Sequence, residues 1–172
     1  MSILNIEFKA RAHHLENAEQ KFLELQPLFI GEDNQTDTYF NVKKGRLKLR
    51  EGNIENSLIY YEREDTAGIK RSDIILYTHQ PDIALKDILI TVNGIKVIVT
   101  KKRRIYFIDN VKFHFDNVEG LGSFIEVEAI DKTGDFGLEK LQEQCDIYKR
   151  FFNIQEEDFI SDSYSDLLMR IT

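Results

Sequence analysis

Charged side chains stand on alternate positions of three strand-like segments: Arg46, Lys48 and Arg50 in GRLKLRE, Lys101 and Arg103 in VTKKRRIY, and Glu126 and Glu128 in FIEVEA. Side chains two apart on a strand point the same way, so each set is aimed at one side of a sheet. A solvated sheet face normally mixes signs to limit repulsion. Here the signs are sorted by strand. A sheet with one apolar and one strongly charged face either leaves the charged face in water or curls so that this face lines a cavity. Sorted cations repel unless an anion of comparable charge joins them, and phosphates suit both the guanidinium fork and the ammonium point charge. The pattern therefore points to a polyanion on the basic strands and a divalent metal on the carboxylates.

The rest of the chain supplies the frame. Leu4, Ile6 and Phe8 alternate with Asn5, Glu7, Lys9 and Arg11, a half-buried first strand over Ile3 to Arg11. Leu15, Ala18, Phe22 and Leu25 recur at helical spacing before Pro27, which predicts a helix near His14 to Gln26. From Leu28 to Asp65 four strands follow, LFIGED, TDTYFNV, GRLKLRE and SLIYYERE, with turns at Lys43-Lys44-Gly45 and Gly52-Asn53. Ile69 to His79 fits strand or loop. Pro81 opens a short helix that ends near Asn93-Gly94. IKVIVTKKRRIYFID, VKFHFDNV and SFIEVEAID read as three more strands. After Gly134, Leu138, Leu141, Cys145, Tyr148 and Phe152 mark a helix, and a final short helix closes EEDFISDSYSDLLMRIT. Many antiparallel strands with three or four helices outside make an α+β fold, one domain over residues 1–172.

Composition excludes several classes. A net charge of −7 argues against nucleic acid as a partner, because that binding needs a basic face; any cationic site must be local. The single cysteine, Cys145, rules out an internal disulfide framework and multi-thiolate metal sites, and it reads as a buried helix residue. MSILNIEFKA lacks the basic start and long apolar run of an export signal, and no stretch approaches the roughly 18 apolar residues of a membrane span. A cytoplasmic protein with no membrane partner is expected, and a homodimer is compatible with this reading.

The candidate site gathers these residues. Arg46, Lys48, Arg50, Lys101 and Arg103 are joined by Arg63, which shares a parity with Tyr61 and Ile59. Glu126 and Glu128, with Glu7 on the first strand, are candidate oxygen ligands for Mg²⁺ or Mn²⁺, and Asp116, in phase with Lys112 and His114, adds another. Without a ligand the two glutamates are expected to pair with the basic strands. His114 reads as a hydrogen-bonding cavity residue, since no second histidine stands at ligand spacing, while His13, His14 and His79 read as surface residues. No glycine-rich phosphate loop and no nucleophile with a histidine base is present.

NIEFKAR, QTDTYF with GRLKLRE, LIYYERED with KRSD, VTKKRRIY and FHFDNVEGLGSFIEVE, in this order over about residues 3–130, together resemble the CYTH superfamily, and SYSDLL is similar to its C-terminal segment. The likeness is greatest to class IV adenylyl cyclase-like members of a group that also holds thiamine triphosphatases and inorganic triphosphatases. It implies a closed or nearly closed eight-stranded antiparallel barrel, a triphosphate tunnel with helices outside. It implies catalytic Glu7, Lys9, Glu126 and Glu128, metal at Glu7, Glu126 and Glu128, and substrate held by Lys9, Arg46, Lys48, Arg50, Arg63, Lys101 and Arg103; strand phase adds Asp116 to the metal group and Lys112 and His114 to the substrate group. The opening ExExK motif falls on Asn5, Glu7 and Lys9, so its first glutamate is an asparagine here, which coordinates only through a neutral carbonyl. The absence of tryptophan argues against thiamine triphosphate, whose hydrolases in this family commonly stack the substrate on an aromatic ring. The expected activity is cyclisation or hydrolysis of a nucleoside or other organic triphosphate, the alternative a non-catalytic binder of a phosphorylated metabolite.

Overall fold

The computed structural model describes residues 3–63 and 66–172. Eight strands, β1 (Ile3–Arg11), β2 (Leu28–Phe40), β3 (Arg46–Glu51), β4 (Ser57–Arg63), β5 (Lys70–Thr78), β6 (Ile95–Ile108), β7 (Val111–Val118) and β8 (Gly122–Asp131), form a closed barrel in the order β1-β5-β4-β3-β2-β6-β7-β8. Every neighbouring pair is antiparallel. Helices α1 (Leu15–Leu23), α2 (Ile83–Asn93), α3 (Gly137–Phe151) and α4 (Tyr164–Ile171) lie outside it. None of them is long and apolar enough to cross a membrane.

The barrel turns the usual arrangement inside out. On β1, β7 and β8 the apolar members of each alternation, Ile6 and Phe8, Phe113 and Phe115, Ile125 and Val127, face outward into a core with Phe22 of α1 and Leu141 and Cys145 of α3. The Phe22 ring lies 4.5 Å from Phe113 and 5.4 Å from Phe115 between ring centres. Cys145 is free and buried. Each opposite residue therefore points inward, because the strand period is two. The apolar half of the alternation places the charged half.

Two boundaries differ from the sequence pattern, and one open reading is resolved. LFIGED and TDTYFNV join into the single strand β2, since nothing between them breaks the ladder to β6 apart from a register shift near Gly31. The ambiguous stretch is β5; its alternation was hidden because Ser72 faces the polar interior while Ile75 and Tyr77 on the outer face remain exposed. Helix α1 stops at Leu23, and Gln26, at a φ of 53°, turns the chain into Pro27. Glu64 and Asp65, the end of the fourth predicted strand, lie outside the described residues, as do Met1 and Ser2 of the N-terminal segment. The β3 turn needs Gly45, whose φ is 68° and where a Cβ would meet the Tyr60 hydroxyl at 2.8 Å.

The two ends of the barrel differ. At one end α4 is seated across the opening, capped by Ser163, whose hydroxyl accepts from the Asp166 N–H at 3.2 Å while Asp166 accepts from the Ser163 N–H at 3.3 Å. Tyr164 reaches inward and is only 3% exposed, packing with Tyr39, Tyr61, Val118 and Phe124. Arg46 holds Asp166 at 2.8 Å, and the Lys70 ammonium donates to the Ser161 carbonyl at 2.8 Å, tying the segment before α4 to β5. At the other end the cavity wall runs out to the part-exposed Ile54, Leu76 and Thr78. That end is the mouth.

Candidate functional site inside the barrel

The register brings inward residues from all eight strands to one cavity of about 380 Å³. Arg50 stands opposite Asp37, Lys101 opposite Gln35, Arg103 opposite Asp116, Glu126 opposite both His114 and Lys9, and Glu128 opposite Glu7. Of the residues expected from sequence, Glu7, Lys9, Lys48, Arg50, Arg63, Lys101, Arg103, Lys112, His114, Glu126 and Glu128 line this cavity. Among its lining residues the cations outnumber the carboxylates.

The basic side is built around Asp37, which is fully buried. It accepts from Arg50 through both oxygens at 2.9 Å, from Lys101 at 2.8 Å and from Lys48 at 3.0 Å. Burial pushes the Asp37 carboxyl up, but Arg50, Lys101 and Lys48 outweigh it and hold the group well below the usual carboxylate range. One carboxylate cannot satisfy three cations. Burial, only partly offset by the shared Asp37 and reinforced by Arg50 and Arg103, pulls Lys101 down to about 7. Glu55, from the turn after β3, accepts from Arg50 at 3.0 Å and is paired with Lys112.

The acidic side is built around Glu126. Its carboxylate meets Arg103 at 3.0 Å, Nδ1 of His114 at 3.4 Å and Lys9 at 3.9 Å. Burial raises it, yet Lys9, the hydrogen bond with His114 and Arg103 hold it well below the ordinary range. Glu128 is pushed the other way, by burial first and then by the negative charges of Glu126 and Glu7. Burial, with Arg103 nearby, lowers His114 to about 3, so its imidazole is neutral. Glu7 is held by Arg63 at 3.3 Å. Donor atoms of His114, Glu126 and Glu128 all lie within 4.8 Å of one another, so this group fits a divalent ion. Among the described residues, Nε and Nη2 of Arg63, Nε2 of His114 and Oδ1 of Asn5 are buried without a hydrogen-bond partner.

Two expected residues are not brought to the cavity. Asp116 lies behind its wall, fully buried, with its oxygens taken by Arg103 at 2.7 and 2.6 Å and by the Tyr164 hydroxyl at 2.7 Å. It holds Arg103 and does not line the cavity. Arg46 turns to the capped end, where it holds Asp166. Asp37, Glu55 and Tyr164 were not anticipated. For Asp37 a signal existed: Asp33, Gln35, Asp37 and Tyr39 alternate on β2 just as the basic residues do on β3. Tyr164 lies under the Lys9 ammonium, 4.0 Å from its ring centre.

Lys101 would link the binding of a polyanion in this cavity to pH. In the ligand-free protein it is largely neutral above about 7, and a bound polyanion favours its charged form, so binding takes up protons and affinity falls as pH rises through and above that value. Titration calorimetry with tripolyphosphate at about pH 8, where phosphate groups with a pKa near 6 are already ionised, should show proton uptake in buffers of different ionisation enthalpy. Lys101→Met should reduce it, Lys9, which burial lowers to about 8, supplying the remainder. Equal heats in all buffers for the unmodified protein would refute the linkage.

A family model described as CYTH domain matches residues 4–164. No curated protein matches. Among solved structures, the PH1012 protein of Pyrococcus horikoshii is similar with a TM-score of 0.77 and 24% identity, covering 95% of this chain and 98% of that one. A candidate adenylate cyclase of Vibrio parahaemolyticus has a TM-score of 0.75 and 18% identity, with 96% and 98% covered. A candidate adenylyl cyclase of Hippeastrum, described as having a dominant triphosphatase activity, has a TM-score of 0.66 and 13% identity, with 100% and 97% covered. At these identities the likeness is one of fold.

Proposed function

This chain belongs to the CYTH domain family, and we propose from that premise that it is a metal-dependent enzyme acting on a nucleoside or other organic triphosphate held inside the barrel. The observation that carries the reading is the excess of cations over carboxylates on the cavity wall, with two buried Arg63 donors unpartnered among the described residues. Lys9, Lys48, Arg50, Arg63, Lys101 and Arg103 bind the phosphates, with Arg50 and Arg103 held in orientation by Asp37 and Asp116. Lys112 and His114 lie beside Glu126 and Glu128 on the same wall. Glu126 and Glu128, with His114 alongside and Glu7 across from Glu128, are the groups that would hold Mg²⁺ or Mn²⁺. When bound, such an ion supplies stabilisation of charge on the phosphate oxygens and a lower pKa for an attacking hydroxyl or water. The basic side chains hold the leaving phosphates and need no rearrangement as charge develops there.

A ribose hydroxyl as nucleophile gives a cyclic nucleotide and pyrophosphate; water gives hydrolysis. Incubation with ATP and Mn²⁺ or Mg²⁺, followed by product analysis, separates them: cyclic AMP with pyrophosphate marks a cyclase, ADP with phosphate or AMP with pyrophosphate a hydrolase. Asn5 favours a second reading, a binder without turnover, since β1 offers one carboxylate and that one is tied to Arg63. Tight triphosphate binding with no product under either metal would select it. Neither binding nor turnover of ATP or tripolyphosphate would overturn both.

A further inference from the structure

Which side chains complete a metal site here follows from how the inward carboxylates are committed. Glu7, the one carboxylate β1 contributes, is engaged by Arg63 at 3.3 Å, and Asn5 on the same face carries no charge. Asp116 is consumed by Arg103 and Tyr164. Glu126, which also meets Arg103 at 3.0 Å, and Glu128 stand on one face of β8, and the side chain that faces both is His114: its Nδ1 lies 3.4 Å from Glu126 and 3.9 Å from Glu128. Adjacent donors of an octahedral ion with bonds of about 2.1 Å lie about 3 Å apart, so these separations need little adjustment. His114 is 1% exposed, and its second nitrogen has no partner among the described residues, so the ring is free to carry its proton on either nitrogen. A cavity residue that served only phosphate would present N–H to it, yet the nitrogen facing the carboxylates sits where a cation between them would be bound.

We propose that His114 is a metal ligand, joining Glu126 and Glu128 in a one-histidine, two-carboxylate site that prefers Mn²⁺ to Mg²⁺. This rests on the reading above that the barrel binds a divalent ion. The ligating tautomer keeps its proton on Nε2 and turns the Nδ1 lone pair to the ion, exchanging the hydrogen bond to Glu126 for a shared metal. Preference follows from donor type. Carboxylates suit Mg²⁺ and Mn²⁺ alike, whereas imidazole suits transition ions, and Mg²⁺ gives up its water reluctantly.

The test is pulsed electron paramagnetic resonance on the intact protein loaded with Mn²⁺ alone. A ¹⁴N coupling is expected, and it should be replaced by a ¹⁵N pattern when the protein is grown with ¹⁵N-histidine, which requires no substitution in the buried site. In parallel, His114→Gln should weaken Mn²⁺ binding by about tenfold or more, given that partners outside the first ligand shell are already worth 10–100-fold, while Mg²⁺ affinity changes much less. Mn²⁺ bound without nitrogen coupling overturns the inference and leaves the proposed function standing. An equal loss of both metals in His114→Gln also overturns it. No Mn²⁺ binding at all overturns the inference and the metal dependence together, and calorimetry with ATP then decides separately whether the barrel binds triphosphate.

Discussion

Asp37→Asn should destabilise the ligand-free protein by about 3–5 kcal/mol, the usual cost of removing one partner from a buried ionic group. Asp37 is the fully buried carboxylate against which Lys48, Arg50 and Lys101 are packed. Without it Lys48, Arg50 and Lys101 are left side by side with no shared anion. A bound polyanion should replace the missing charge. Tripolyphosphate at 100 times its dissociation constant stabilises any binder by about 2.7 kcal/mol, and at equal concentration the variant should gain more than the unmodified protein. The acid limb supplies the sign. Because the folded-state pKa of Asp37 is depressed, its contribution is fully present above the unfolded value of about 3.9 and is lost as pH falls through the folded value. The two stability curves should therefore stay apart down to about that pH and converge below it. Denaturant unfolding from pH 7 to 3, with and without tripolyphosphate, measures all three effects. Equal stability at neutral pH would show that the basic cluster does not depend on Asp37.

Glu126→Gln should have the largest effect on turnover. Glu126 meets Lys9, Arg103 and His114 and supplies a donor to the group that fits a metal. Losing one preorganised electrostatic group at a reacting centre costs about 10²–10³ in kcat, and here the same change weakens the metal group, so a loss of about 10³ or more is expected. Triphosphate affinity in the absence of metal should hold or rise, since one negative charge has left a cavity already lined by an excess of cations. Initial rates at saturating Mn²⁺, set beside metal-free binding, read both quantities. A variant that still turns over within tenfold of the unmodified protein would remove Glu126 from the chemistry, and one that no longer binds triphosphate would make it a structural support.

Much of the cavity was visible as alternation, because a period of two survives any sheet curvature. Lys48, Arg50, Lys101, Arg103, Glu126 and Glu128 face inward for the same reason that Phe113, Ile125 and Val127 face outward. What alternation cannot show is who claims each inward side chain. Asp116 and Arg46 stand on the right face, yet α4, contributed by the far end of the chain, takes them through Tyr164 and Asp166. Glu55 enters from a turn, where no period applies, and is fixed only by Arg50 and Lys112. His114 lines the cavity as its phase on β7 implies, but its carboxylate partners do not lie along its own strand. They stand instead on the neighbouring strand β8, opposite it and one inward position along.

Among the described residues, Tyr164 of α4 fills the barrel interior at one end, while the cavity wall reaches exposed residues at Ile54, Leu76 and Thr78. Entry from that side would give the traffic an order. For a triphosphate bound as proposed, with its phosphates on the buried cations Lys101 and Arg103, the organic fragment should depart first and the phosphate fragment last, an order that product-inhibition kinetics would read.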